Sequence, residues 1–365
     1  MPDVPPVLAP SGAVLLEAAA MLAVFVGALF VGSMLVPGRR ITGPDLGGGK
    51  TITYKLNGLA LLLLTALAAG VAQAFDVFSL SSLYTHFFAL LIVTNVFAVA
   101  FSVWLCRRGA RKQAEKPSFL QSCLVTSELN PSLAGVDLKM FSYRPSLIGL
   151  AMLNTSFAVV QYETYDELTL AMVLYQIFTW IYVINYFQFE GGMVHTWDII
   201  HERFGWMLVW GDYVLVPFFY CIAGWWLVDA GAPELNPFAA GAIVLLYVLG
   251  FWMFRGANNQ KHRFKRDPSA TIWGRPAEAL DGRLLVSGFW GIGRHLNYSG
   301  EICIYIAFAL TTGFTSFVPF LLPAWLAGLL WNRSRRDERR CSAKYGELWV
   351  RYKQRVPYAM LPFVY

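Results

Sequence analysis

Seven stretches of this chain approach the ~20 consecutive apolar residues that cross a hydrocarbon core. They run from Leu15 to Val36, Leu56 to Ala74, Tyr84 to Leu105, Pro145 to Val160, Leu168 to Phe187, Met207 to Val228 and Phe238 to Phe254. A further apolar stretch, Ile302 to Trp331, is too long for one ordinary span and is broken by Gly313, Pro319 and Pro323. It reads as a helical hairpin that enters and leaves on one side. Only 14% of the residues are charged, against roughly 25% in soluble domains. The expected fold is therefore all-α, a polytopic membrane bundle of about nine to ten transmembrane helices.

The first run is read as a span and not as a secretory leader, because no Lys or Arg precedes it. The distribution of cations gives an orientation, since basic loops stay on the cytoplasmic side. With alternating spans, Asp76 to Leu83, Gln161 to Glu167 and Asp229 to Pro237 fall together on one side and carry no Lys or Arg, while all 29 basic residues fall on the other. The C-terminus is then cytoplasmic and the N-terminus external or lumenal. The membrane is either a bacterial inner membrane or the endoplasmic reticulum.

The net charge of +6 is concentrated in Arg255 to Arg294 and Arg333 to Arg355. Topology determinants meeting anionic headgroups are one reading, and a pocket for a phosphorylated cofactor is another, since phosphates need several converging cations. No nucleic-acid module is visible, and none is expected as a partner. Five isolated cysteines, at positions 106, 123, 221, 303 and 341, form no pair suited to zinc or to a disulfide framework. His195, Asp198 and His201 match no strong metal pattern, so no metal is expected. The chain contains no GxGxxG, GxxxxGK[ST] or HExxH.

Between Arg255 and Gly300, cations, amides and glycines are interleaved with Trp273, Phe289, Trp290 and Tyr298. One such segment can offer phosphate ligands, stacking surfaces and hydrogen-bond donors together. Its motifs are FRGANNQK (254–261) and LLVSGFWGIGRHLNYSGE (284–301), followed by NRSRRDERRCSAKYG (332–346) and WVRYKQRVPY (349–358). In this order they resemble the sterol reductase family, the Δ14-, Δ7- and Δ24(28)-sterol reductases together with the sterol-reductase domain of the lamin B receptor. Upstream, YKLNG (54–58), ELNP (128–131), RPSLIG (144–149), DIIHERFGWML (198–208) and WGDYVLVPFFY (210–220) extend the likeness over all but the first ~50 residues.

The resemblance implies NADPH-dependent saturation of a sterol ring double bond, with a cofactor pocket facing the cytosol. It implies cofactor contacts from Lys261, Lys265, Trp290, Arg294, Asn297, Tyr298, Glu301, Arg333, Asp337 and Tyr352. Residues 1–254 would form an N-terminal transmembrane bundle, and residues 255–365 a cofactor-binding half with its hairpin, the two making one integral unit. Lys265 and Glu301 stand where the family commonly has Arg and Asp, and YFQFEGG (186–192) keeps only Glu190 of a stretch bordering the sterol.

An unactivated alkene must be protonated before it accepts hydride, so an acid is required. Glu190, Asp337 and Tyr298 are its candidates, with His201 a further one, and Trp206, Phe218, Phe219 and Tyr220, with Glu190, are the expected sterol walls. FRGANNQK and DIIHE favour Δ14 reduction. IWGR (272–275), SGFWG (287–291) and the RDE, RC, KYG pattern point equally to Δ7. An isoprenylcysteine-type membrane methyltransferase, which shares RHxxY and KYG, and a non-enzymatic sterol-binding scaffold are the rival classes.

Overall fold

The computed structural model describes residues 9–46, 48–110, 128–229, 235–314 and 316–360. Ten main helices are labelled here: α1 (Gly12–Leu35), α2 (Gly58–Ala74), α3 (Phe87–Ala110), α4 (Leu138–Tyr165), α5 (Leu170–Gln188), α6 (Trp206–Val228), α7 (Pro237–Arg266), α8 (Leu296–Leu310), α9 (Leu321–Tyr345) and α10 (Glu347–Arg355). Of these, α1, α3, α5, α6 and α7 are long and apolar enough to cross a membrane, and α2 and α8 are shorter apolar helices. The chain divides into two compact units, residues 1–232 and 233–365.

Helix starts follow from local chemistry. Ser11, Asp137, Thr169 and Asn236 each accept a hydrogen bond from a backbone N–H of the first turn they precede, and Pro237 follows its cap at the position where a missing N–H costs nothing. Short antiparallel hairpins fill loops. The longest pairs β1 (Arg39–Thr42) with β2 (Thr53–Leu56), and another pairs β3 (Ser132–Leu133) with β4 (Val136–Asp137).

Several helices outrun the spans read from hydropathy. α4 begins at Leu138, seven residues before the apolar run, because Lys139, Ser142 and Arg144 are buried among protein partners. α7 continues through FRGANNQK to Arg266, so this basic motif is helical, with Lys261 and Lys265 one turn apart on one face. The apolar stretch after residue 302 forms a hairpin, with α8 and α9 separated by a turn containing Gly313 at φ 70°. Within α6, residues Gly211–Phe219 are π-helical around Pro217, whose missing N–H disrupts the regular ladder.

In the first unit, Ala98, Leu105, Leu138, Phe204, Val209, Tyr213 and Val214 form a buried apolar cluster. In the second, α7 and α8 meet at Gly250 and Gly300. A Cβ on Gly300 would stand 2.5 Å from the Gly250 carbonyl oxygen, and one on Gly250 would stand 2.8 Å from the Cys303 Cβ. Small residues at this crossing let the two backbones touch, as in other membrane helix pairs.

Candidate functional site

The Gly250–Gly300 crossing sets α8 beside the motif-bearing half of α7. Two turns further along α7, Asn258 Oδ1 accepts a hydrogen bond from Asn297 Nδ2 at 3.3 Å. Asn297 Oδ1 is buried and has no hydrogen-bond partner. Trp290 is pinned from two sides, its Nε1 donating to the Ala257 carbonyl at 2.8 Å and its own carbonyl accepting from the Tyr352 hydroxyl at 3.3 Å. The Lys261 ammonium lies 4.5 Å from the centre of the Trp290 ring, a cation–π geometry. Gln260 holds the start of the same turn by accepting from the Phe289 N–H at 2.8 Å.

α9 completes this side of the unit. Arg333, Asp337 and Cys341 are spaced four apart and so share one face, and Arg333 hydrogen-bonds the Tyr298 side chain. His295, which motif comparison had not singled out, stacks on Tyr298 with ring centres 5.0 Å apart and planes 7° apart. Burial pushes His295 down to about 4, with nearby Asp337 pulling the other way, so its ring is neutral near pH 7. Burial likewise raises the Cys341 thiol to about 11, which leaves it protonated.

Of the remaining cofactor candidates, Arg294 is engaged elsewhere, while Lys265 and Glu301 flank this arrangement. The Arg294 side chain is 7% exposed, and its Nη1 donates to the carbonyls of Val356 and Pro357, at 2.7 Å each. Its Nη2 is 3.9 Å from Glu338. Lys265 is exposed one turn beyond Lys261, and Glu301 is half-buried in α8. A separate cavity of about 430 Å3, bounded by Trp273, Arg275, Glu278 and Ser287, is lined by none of the cofactor candidates.

In the first unit, Glu190 is 4% exposed and clamped. Its Oε1 faces Arg144 Nη2 at 3.3 Å, and its Oε2 accepts from the Gly58 N–H at 3.0 Å. That N–H is one of the unsatisfied donors opening α2, where an anion is favoured. Burial raises the Glu190 carboxyl above its ordinary range, while Arg144 and the Gly58 N–H oppose the shift. Arg144 also donates to Ser33 Oγ and to the Lys55 carbonyl, at 2.7 Å each, so one pair ties α1, β2, α2 and α4 together.

The expected sterol walls are dispersed. Trp206 packs against the Ala98–Tyr213 cluster, whereas Phe218 meets Phe87 at 5.3 Å and packs on Ala18, Ala89 and Leu90. They lie about 18 Å apart along one helix, from twelve residues at about 1.5 Å each. Hydropathy also passed over Lys139, which is 1% exposed and donates to the carbonyls of Asp198, Ile199 and Glu202 at 2.7, 2.9 and 2.7 Å. The signals available were the family-like stretch Asp137 to Lys139 and the polar residues Ser142 and Arg144 just ahead of the apolar run.

The fold is that of an integral membrane helical protein whose second unit gathers amides, cations and pinned aromatic rings on one side. Residues 16–365 match the ergosterol biosynthesis ERG4/ERG24 family, and the chain belongs to it. It is 38% identical over 346 residues to a Delta(14)-sterol reductase of Arabidopsis thaliana, covering 92% of this chain and 93% of that protein. It is 38% identical over 338 residues to a Delta(14)-sterol reductase of Methylotuvimicrobium alcaliphilum, covering 90% of this chain and 79% of that protein. With a probable 7-dehydrocholesterol reductase of Acanthamoeba polyphaga mimivirus it shares 31% identity over 331 residues, or 87% of this chain and 74% of the relative.

Proposed function

We propose that this protein is an NADPH-dependent Δ14-sterol reductase. The observation that carries the reading is the convergence of four separated motifs on one side of the second unit: Lys261 on Trp290, Asn297 on Asn258, Arg333 on Tyr298, and Tyr352 on the Trp290 backbone. The residues fit a nicotinamide dinucleotide, because the buried, unpartnered Asn297 Oδ1 needs a donor of the kind a carboxamide or ribose hydroxyl offers. Lys261, Lys265 and Arg333 would hold phosphates, Trp290 and Tyr352 would flank a ring, and Asp337 and Glu301 would take ribose hydroxyls. When bound, NADPH supplies hydride to the carbon left electron-poor by protonation.

Tyr298 is the proton donor in this reading. Its hydroxyl is hydrogen-bonded to Arg333 of another helix, which fixes its orientation. Asp337 stands one helical turn from Arg333 on the same face of α9 and would relay a proton from solvent back to Tyr298. Glu190 is assigned to holding the first unit together, and Arg294 to holding the segment around Val356, since both side chains are already engaged there. The cation distribution supports a cytosolic site in a bundle of nine to ten helices.

The test is sterol analysis by mass spectrometry after incubation with 4-deuterated NADPH. A Δ8,14-diene should be converted with deuterium at one nuclear carbon, and no conversion of that diene alongside turnover of a Δ7 sterol would exclude Δ14 specificity. The Δ7 alternative is kept because of the similarity to the probable 7-dehydrocholesterol reductase. Arg333→Ala and Asp337→Ala should each lower turnover at least about tenfold. NADPH, and not S-adenosylmethionine, should raise the melting temperature of the solubilised protein.

A further inference from the structure

The first unit contains a cavity of about 360 Å3, bounded by Met34, Arg40, Tyr54, Lys55, Asp137 and Phe141 among others. None of the residues assigned to cofactor, acid or sterol walls lines it. Asp137 Oδ1 is spent on the Met140 N–H at 2.7 Å, capping α4, but Oδ2 is buried without a hydrogen-bond partner. A buried carboxylate oxygen in that state calls for a hydroxyl or amide donor. Beside it, the Tyr54 hydroxyl accepts from Asn130 Nδ2 at 3.1 Å and keeps its own proton to donate.

Cations line the same space. Arg40 is exposed on β1, and Lys55 is steadied by a 2.8 Å hydrogen bond from its ammonium to the Met34 carbonyl. Arg144 is already committed to Glu190, Ser33 and the Lys55 carbonyl, so it contributes field and not a free donor. Two available cations attract a phosphate, while the Asp137 carboxyl repels one and accepts a hydroxyl. The complementary ligand is a phosphodiester bearing a free hydroxyl.

The apolar surroundings indicate what carries that group. Met34, 37% exposed, borders the cavity from the last turn of α1, and Val31 and Leu35 beside it are 47% and 74% exposed. An uncovered apolar track therefore leads from the cavity along a helix long enough to cross a membrane. We propose that the cavity seats the headgroup of a membrane phospholipid with a hydroxyl-bearing phosphodiester, of the phosphatidylglycerol kind, its acyl chains lying along α1.

Native mass spectrometry of the full-length, detergent-solubilised protein tests this, with phosphatidylglycerol and phosphatidylcholine of identical acyl chains, soluble sn-glycerol 3-phosphate, and NADPH as probes. Phosphatidylglycerol should be retained at least about tenfold better than phosphatidylcholine. Arg40→Gln and Asp137→Asn, the latter preserving a helix cap, should each reduce retention about tenfold. Arg39→Gln, on the neighbouring position of the same strand, should not.

Equal retention of both lipids, or an Arg40→Gln protein indistinguishable from Arg39→Gln, would overturn the proposal. So would two other outcomes. Occupancy by soluble sn-glycerol 3-phosphate matching that of the lipid would make the site a free phosphate site, and displacement of the lipid by NADPH would make it part of the cofactor's. Should Asp137→Asn fail to fold, the Arg40→Gln comparison decides alone.

Discussion

At residue scale the most consequential charges are those held out of water. Arg144 and Glu190 are 3% and 4% exposed and share one salt bridge. Removing one member of such a pair leaves an uncompensated buried charge, so Arg144→Ala or Glu190→Ala should cost about 3–5 kcal/mol. Denaturant melts of the solubilised protein would measure it, and Glu190→Gln, which can keep the Gly58 contact, should lose less. His295 makes a pH-dependent contribution. Its folded value of about 4 lies below the unfolded one, so the stability it confers is fully present above about 6.5 and is lost as pH falls towards 4. Melting curves at pH 7 and pH 4.5 should therefore differ by up to about 3 kcal/mol more in the native protein than in His295→Phe.

At the scale of elements, close helix contact decides whether the motif residues meet. Gly250 and Gly300 allow backbones to touch where a Cβ would stand 2.5 Å from a carbonyl oxygen. Gly300→Val should therefore separate α7 from α8, break the Asn297–Asn258 hydrogen bond and abolish sterol turnover. Gly241→Ala, on the same helix but with nothing within 4 Å, should leave turnover and melting temperature unchanged. Side-by-side thermal melts and turnover assays check both. Hydropathy located these helices but placed the start of α4 and the end of α7 too far inside the apolar runs. A hydropathy window sees only lipid-compatible residues, whereas Arg144 and Lys139 are made compatible by protein partners.

At the scale of the molecule the cation asymmetry predicts a topology. In a background with the native cysteines replaced, Glu167→Cys should react with an impermeant maleimide applied to the external or lumenal face. Arg266→Cys should react only after the membrane is opened. The reverse pattern would reject the orientation drawn from the loops free of Lys and Arg. That asymmetry needs no coordinates, because it is a property of the order of residues along the chain.

The order of residues alone established a membrane helical protein, the hairpin after Ile302, and the motifs that define the family. These are local or periodic properties, and hydrophobic length, Gly–Pro breaks and motif spacing express them directly. Which motif residues are available for chemistry was decided by tertiary structure. Arg294 and Tyr298 sit four residues apart in one motif, yet Arg294 is used up on the carbonyls of Val356 and Pro357, while Tyr298 stacks on His295 and meets Arg333 from another helix. A side chain's partners depend on which helices pack together, and for α7 and α8 that packing rests on two glycines fifty residues apart.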